Sequence, residues 1–376
     1  MPAVSISVSE GFQGCPGRGR CVTHRLTDTG LLPHLPLTAL RMGLAPSTEE
    51  KLQYREAVGA HIYEAMQRNG ALPDVGIDRS LLDNSGLASR AAMQDYFKQL
   101  KKHVDGKAPA YLKELMGKLA AFTDEPKITG LLTLVISMVI ETAYASSKRS
   151  PQGAAAKAAA AEERLSELQN LMEEYLKRHR MHLSDVRKLR EDTERLEAQV
   201  SFQLTQIKNA MLRDGHMSSR TLKYWVNGVA FHVQMLIHLA RLDRQGGEAV
   251  RAAIGTYQED LRELLPKYQQ YKAATIDISK RRELRMVEDM SVEGSVTGYS
   301  VHDKELGKSV SVPLPDDTPP ACTLLDTSFC TQAYLEHMIA HHGQIAEIKA
   351  YLSETLRNLH ALIDQNNDNQ PPTSSS

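Results

Sequence analysis

The sequence predicts an all-α fold: an elongated antiparallel helical bundle with one coiled-coil-like helix of about sixty residues and a small polar β-hairpin insert. Three observations predict it. The stretch from 154 to 214 holds neither proline nor glycine. Its apolar residues step alternately by three and four, through Leu165, Leu168, Met172, Tyr175, His179, His182, Val186, Leu189, Thr193, Leu196, Val200, Gln203, Ile207 and Ala210. That spacing draws a narrow seam along one helix face, the signature of coiled-coil packing. Finally, further amphipathic segments on either side are separated by short glycine- or proline-bearing breaks, the pattern of consecutive helices stacked antiparallel.

In chain order, residues 1–46 read as a disordered tail. Glycine, proline and serine recur there without an apolar period. The first residues lack the charged start and apolar run of a secretory leader. Cys15 and Cys21 read as free thiols, because four cysteines in 376 residues are too sparse for a disulfide framework. The expected setting is cytoplasmic.

An extended helical bundle is expected over 47–285. Ser47 to Glu50 supply a cap and first-turn acids for a helix ending near Gly70. Shorter amphipathic helices follow, one carrying Met93, Phe97 and Leu100, another starting at Pro109. The segment 128–147 then holds twenty residues with a single charge, Glu141. Thr129, Thr133, Ser137 and Glu141 recur every four positions, and Leu131, Leu134, Ile136 and Val139 lie on the remaining surface. Two readings compete: a buried bundle helix, or a segment that enters a bilayer. Ser150 to Gly153 would turn the chain into the long helix 154–214. An alanine-rich run opens that helix, which at about 1.5 Å per residue would measure roughly 90 Å.

His179 and His182 occupy consecutive seam positions among Lys177, Arg178 and Arg180. They read either as tolerated members of an ion-paired face or as a weak point that charges near pH 6. Beyond Gly215, Ser218 or Ser219 can cap a helix over 221–242, apolar on most sides but interrupted by Asn227, His232, Gln234 and His238. After Gly246-Gly247 a helix over 248–272 follows, with Pro266 able to kink it. Lys280-Arg281-Arg282 reads as a basic helix end.

Residues 286–320 read as an exposed hairpin insert, since Tyr299, Val301, Val310 and Val312 alternate with polar residues. A C-terminal helix is expected over 321–364, and a free polar tail over 365–376.

Chemistry is sparse. Cys330, His337 and His341 fall on one helical face, and the two histidines have an i, i+4 spacing that can hold zinc. Met338 stands where a metalloprotease would carry its glutamate, and only half a metal site is visible. No phosphate loop, nucleophile elbow or dinucleotide fingerprint is present. The net charge of -1 gives no pull toward nucleic acid. The expected function is therefore a non-enzymatic helical scaffold without cofactors, working by self-association or by binding another helical protein. The alternative is a membrane-active protein whose helix 128–147 enters a lipid bilayer. An apolar helix beside a long rod is an architecture shared by helical scaffolds and α-helical pore formers, a likeness of shape alone.

Overall fold

The computed structural model describes residues 48–83, 155–182, 185–244, 246–286, 292–315 and 325–364. All belong to the unit Leu44–Ser376. The two tails, the helices expected between 85 and 119, and the apolar segment 128–147 lie outside the described residues.

The described part is mostly helical, with a three-stranded antiparallel sheet. Helix α1 spans Thr48–Arg68 and α2 spans Arg79–Asp83. Next come α3 (Ala155–Met181), α4 (Val186–Arg213), α5 (Ser219–Asp243) and α6 (Glu248–Thr275). Strands β1 (Ile276–Met286), β2 (Val292–Asp303) and β3 (Lys308–Pro313) follow. The chain then forms α7 (Thr327–His341), α8 (Gly343–Arg357) and α9 (Leu359–Asp364).

The continuous helix expected over 154–214 is instead a helical hairpin. The last turn of α3 closes with His182 N–H donating to Arg178 O at 3.1 Å. Asp185 then caps α4, its carboxylate accepting the Lys188 backbone N–H at 3.2 Å. An aspartate in this position satisfies an otherwise orphaned donor and favours a helix start over continuation. At the open end of the hairpin, Arg164 near the start of α3 bonds Asp214 past the end of α4 at 3.3 Å. In one straight helix those residues would stand roughly 75 Å apart. The seam is thus folded onto itself: Leu168, Met172, Leu196, Val200 and Ile207 are all buried, and α3 packs on α4. Val186, expected in the seam, is 60% exposed beside the turn.

Helix α5 is the core of the bundle. Ser218 Oγ caps it, accepting the Thr221 N–H at 2.9 Å. Trp225, Val229, Phe231, Val233 and Ile237 are buried on it. It packs on α3, α4, α6 and α9. Its polar residues are accommodated rather than exposed. Asn227 accepts the Asp78 N–H at 2.8 Å and donates to Gly76 O at 3.0 Å, which pins the loop after α1.

The sheet corrects a second expectation. Helix α6 runs directly into β1, so Lys280-Arg281-Arg282 lie in a strand and not at a helix end. Strand β1 pairs with β2 from Ile276↔Asp303 to Met286↔Val292, with a bulge between Arg281 and Arg282. Strand β3 pairs with β2 from Gly298↔Pro313 to Asp303↔Lys308. The hairpin is not an exposed insert. Ile276, Ile278, Tyr299, Val301, Val310 and Val312 are buried, and the sheet packs against α1, α6 and α7. Period-two alternation makes one face apolar, and that face needs a covering layer.

The expected C-terminal helix is three. His342 leaves helical geometry and caps α8, and Asn358 closes that helix. Close packing joins the two ends of the described chain: a Cβ on Gly59 of α1 would stand 2.4 Å from Ala333 O of α7. Among the described residues, no helix is long and apolar enough to cross a membrane.

Candidate functional site

The most charged interior cluster joins α5, α6 and the β2–β3 turn. Lys272 Nζ donates to Asp303 Oδ2 at 2.6 Å and to Glu305 Oε2 at 2.9 Å. The Lys272 and Asp303 side chains have no exposed surface, and Glu305 has 14%. The remaining capacity is also used. Asp303 Oδ1 accepts the N–H groups of Glu305 and Leu306 at 3.0 and 3.2 Å. Glu305 accepts from Ser219 N at 2.7 Å and from Ser219 Oγ at 2.6 Å, which places a carboxylate at the positive end of α5. The Tyr268 hydroxyl then donates to Ser219 Oγ at 2.7 Å. Burial, reinforced by these carboxylates, holds Tyr268 and Tyr271 well above the usual phenol range, so both stay neutral donors. A lysine enclosed in this way holds elements together; it cannot reach a substrate.

A second network crosses α4, α5 and α6. His232 Nε2 meets Glu197 Oε1 at 2.6 Å, and its Nδ1 meets the Tyr257 hydroxyl at 2.9 Å. Burial pushes the Tyr257 hydroxyl up, so it stays protonated. Both ring nitrogens are occupied by protein.

The seam histidines separate. His179 is buried with its ring centroid 4.9 Å from that of His238 on α5. Tyr175 Oη lies 2.8 Å from His238 Nδ1. His182 Nδ1 lies 2.6 Å from Asp192 Oδ2 across the hairpin turn. Burial opposes ionisation of Asp192, but Arg195, His182 and Arg178 outweigh it and hold its carboxyl below the usual range. Of the other seam residues, Leu165 and Leu189 are buried with the rest of the hairpin core.

The residues considered for zinc part company too. Cys330 is fully buried toward Tyr299 of β2, and burial pushes its thiol up. His337 and His341 stack at 3.9 Å on the α1 side, His337 lying 5.2 Å from the Tyr63 ring. Among the described residues no group of three or more His, Cys, Asp or Glu side chains is disposed to hold a metal ion. The bilayer candidates Leu131, Leu134, Ile136, Val139 and Glu141 lie outside the described residues.

What sequence reasoning missed is on the outer face of the hairpin. An open groove of about 760 Å³ runs between α3 and α4, lined by Asn170, Leu171, Ala198, Gln199, Phe202 and Gln203, among others. Phe202 is 64% exposed. Its signal was a phenylalanine off the three-four seam. The groove's acids are engaged: Glu167 accepts from Gln203 at 2.9 Å, and Glu174 from Arg178 at 2.6 Å. A smaller, less open cleft of about 630 Å³ between α6, β1 and α7 is lined by Gln270, Thr331 and Gln332, with Asp277 as its carboxylate.

No protein-family model, curated protein or solved structure matches the chain.

Proposed function

We propose that this chain is a non-enzymatic helical scaffold that associates with a second copy of itself through the outer face of the α3–α4 hairpin. Phe202 supports the reading most: a large aromatic side chain, 64% exposed, stands beside the groove lined by Leu171 and Ala198. A projecting ring and a receiving groove on one face satisfy the demand of a two-fold contact, in which the same patch serves both subunits. Asn170 and Gln199, both exposed, can pair amide to amide across such a contact. Burying one phenylalanine contributes about 1.5–3 kcal/mol. The heptad seam is not the contact surface in this reading, because each half of it already packs on the other.

The non-enzymatic part rests on where polar capacity is used. Lys272 and His232 bond to protein groups in the interior, away from both grooves. A cytoplasmic setting is part of the proposal, supported by sparse cysteines and by Cys330 as a buried free thiol. Sedimentation velocity over a range of concentrations tests the reading. The parent should form a dimer, and Phe202→Asp should be monomeric with unchanged helicity. A parent that stays monomeric throughout would contradict it.

A second reading is favoured by one feature, the single charge in the twenty residues 128–147. In it this segment enters a bilayer, and Ile136→Lys abolishes vesicle binding while helicity survives.

A further inference from the structure

We infer that the free edge of β1 docks an extended segment of another protein, one that carries an acid, a hydroxyl and a cation on alternate residues. The inference goes beyond self-association and uses a site apart from the Phe202 groove. The strand order β1-β2-β3 leaves two edges. The β3 edge is met by α1, where His61 Nε2 lies 2.8 Å from Pro313 O and Lys308 donates to Gly70 O. The β1 edge borders the cleft of about 630 Å³ between α6 and α7, whose lining includes Ile276, Asp277 and Ile278.

The register fixes which backbone groups face outward. The Lys304 N–H donates to Thr275 O at 2.9 Å, so these two residues form a bonded pair. Bonded and non-bonded pairs alternate along an antiparallel ladder. Asp277↔His302 is then bonded, while Ile276↔Asp303 and Ile278↔Val301 are not. The N–H and C=O of Ile278 and the C=O of Ile276 therefore point away from β2. The Ile276 N–H is taken by Lys272 O. Among the described residues no backbone hydrogen bond reaches the Ile278 groups from the outer side. These are the groups that an added strand bonds. The bulge between Arg281 and Arg282 ends the regular edge, so the site runs from Ile276 to Arg281.

Side chains set the pattern of the added strand. Asp277, Ser279 and Arg281 alternate on the outer face, and all three are exposed. Asp277 is the one charged residue in the cleft lining. His302 and Lys304 flank it on the β2 side, away from the free edge. Arg281 reaches past Gly298 to Ser311 Oγ, a bond that a carboxylate outcompetes because charge-assisted bonds are about twice as strong. Arg282, exposed beyond the bulge, adds to the positive end, and Lys280, half-buried, is engaged within the chain. The edge is thus negative at Asp277 and positive at Arg281. An antiparallel strand completes it with an acid opposite Arg281, a hydroxyl opposite Ser279 and a cation opposite Asp277. Its intervening residues are aliphatic and enter the cleft over Ile276, Ile278 and Leu335.

Strand β1 carries the same order of side chains, so a second copy is the competing occupant. Its β1 would bring its own α6 and α7 to the contact. A cleft between two helices admits a lone strand, which needs only about 4.8 Å beside β1.

Fluorescence anisotropy of the full-length protein tests this, with the labelled octapeptide TEVTVKVT and its charge-swapped counterpart TKVTVEVT. TEVTVKVT should bind the parent about tenfold tighter than TKVTVEVT. Asp277→Lys with Arg281→Glu should reverse that order. Both positions are exposed, and unchanged circular dichroism confirms the fold. Methylating the backbone nitrogen of the fifth peptide residue, the donor to Ile278 O, should weaken binding about tenfold. No binding of TEVTVKVT, equal binding of the two peptides, or a methylated peptide that binds like the unmodified one would overturn the inference. So would a Phe202→Asp protein that still dimerises and becomes monomeric when Asp277→Lys is added, which would assign the edge to a second copy.

Discussion

Lys272 at the end of α6 and Asp303 at the end of β2 meet at 2.6 Å with neither side chain exposed. The contact ties the β2–β3 turn to the helical core, and Glu305 extends it to the N-terminus of α5. Breaking a buried pair strands the surviving charge, and that cost exceeds what the pair itself contributes. Lys272→Met should therefore destabilise the fold by about 3–5 kcal/mol in chemical denaturation. Adding Asp303→Asn to Lys272→Met should recover part of the loss. A single substitution costing under about 1 kcal/mol would show that the cluster does not anchor the sheet.

Two glycines should respond differently to alanine. At Gly59 the new Cβ would meet the backbone oxygen of Ala333 at 2.4 Å, so α1 and α7 must separate. At Gly228 it would meet the ends of the Leu204 and Leu168 side chains at 2.6 and 2.9 Å, which can rotate. Gly59→Ala should cost the larger part of the 1–3 kcal/mol typical of overpacking, and Gly228→Ala the smaller part, both read from denaturation midpoints.

His342 predicts a pH dependence. Its Nε2 lies 3.0 Å from Pro73 O, and its Nδ1 accepts the Gln344 N–H at 3.3 Å as the cap of α8. Burial, only partly opposed by Pro73 and Asp74, holds its pKa below the ordinary 6.5. The unfolded chain then binds the proton more readily than the folded one. Its contribution to stability is complete above pH 6.5 and is lost as pH falls through that value toward the lower folded-state pKa. His337, lowered by burial and by His341, adds in the same direction. The slope of stability against pH between about 7 and 5 should flatten in His342→Asn, which keeps a capping acceptor without a titrating ring. An unchanged slope would remove His342 from the account.

The seam was legible as a burial pattern and illegible as a shape. A hairpin whose two arms face each other and a straight rod facing a partner need the same three-four spacing, so periodicity cannot separate them. The signal of the turn was Asp185, a capping residue, but no glycine or proline accompanies it. The alternation at Tyr299, Val301, Val310 and Val312 announced β2 and β3. Strand β1 was hidden because Ile276 and Ile278 follow α6 with no breaker between them. The Lys272 cluster has no complete local signature, since Asp303 and Glu305 share one turn but Lys272 joins them only by tertiary contact. Phe202 was visible only as an aromatic off the seam, which periodicity discounts.

The proposed self-association depends on the hairpin, because folding α4 back on α3 is what assembles the groove from Leu171 and Phe202. The most direct test is the distance between spin labels at Asn170→Cys and Gln199→Cys. The labels are placed in a background in which Cys15, Cys21 and Cys322 are serine, while Cys330 is retained because it is buried. Labelled protein diluted in unlabelled parent reports the distance within one chain. Both positions line the same groove, so electron–electron resonance should place the labels within roughly 20 Å, allowing for helix diameters. A continuous helix would hold them roughly 44 Å apart, and a distribution centred there would contradict the hairpin and the groove built on it.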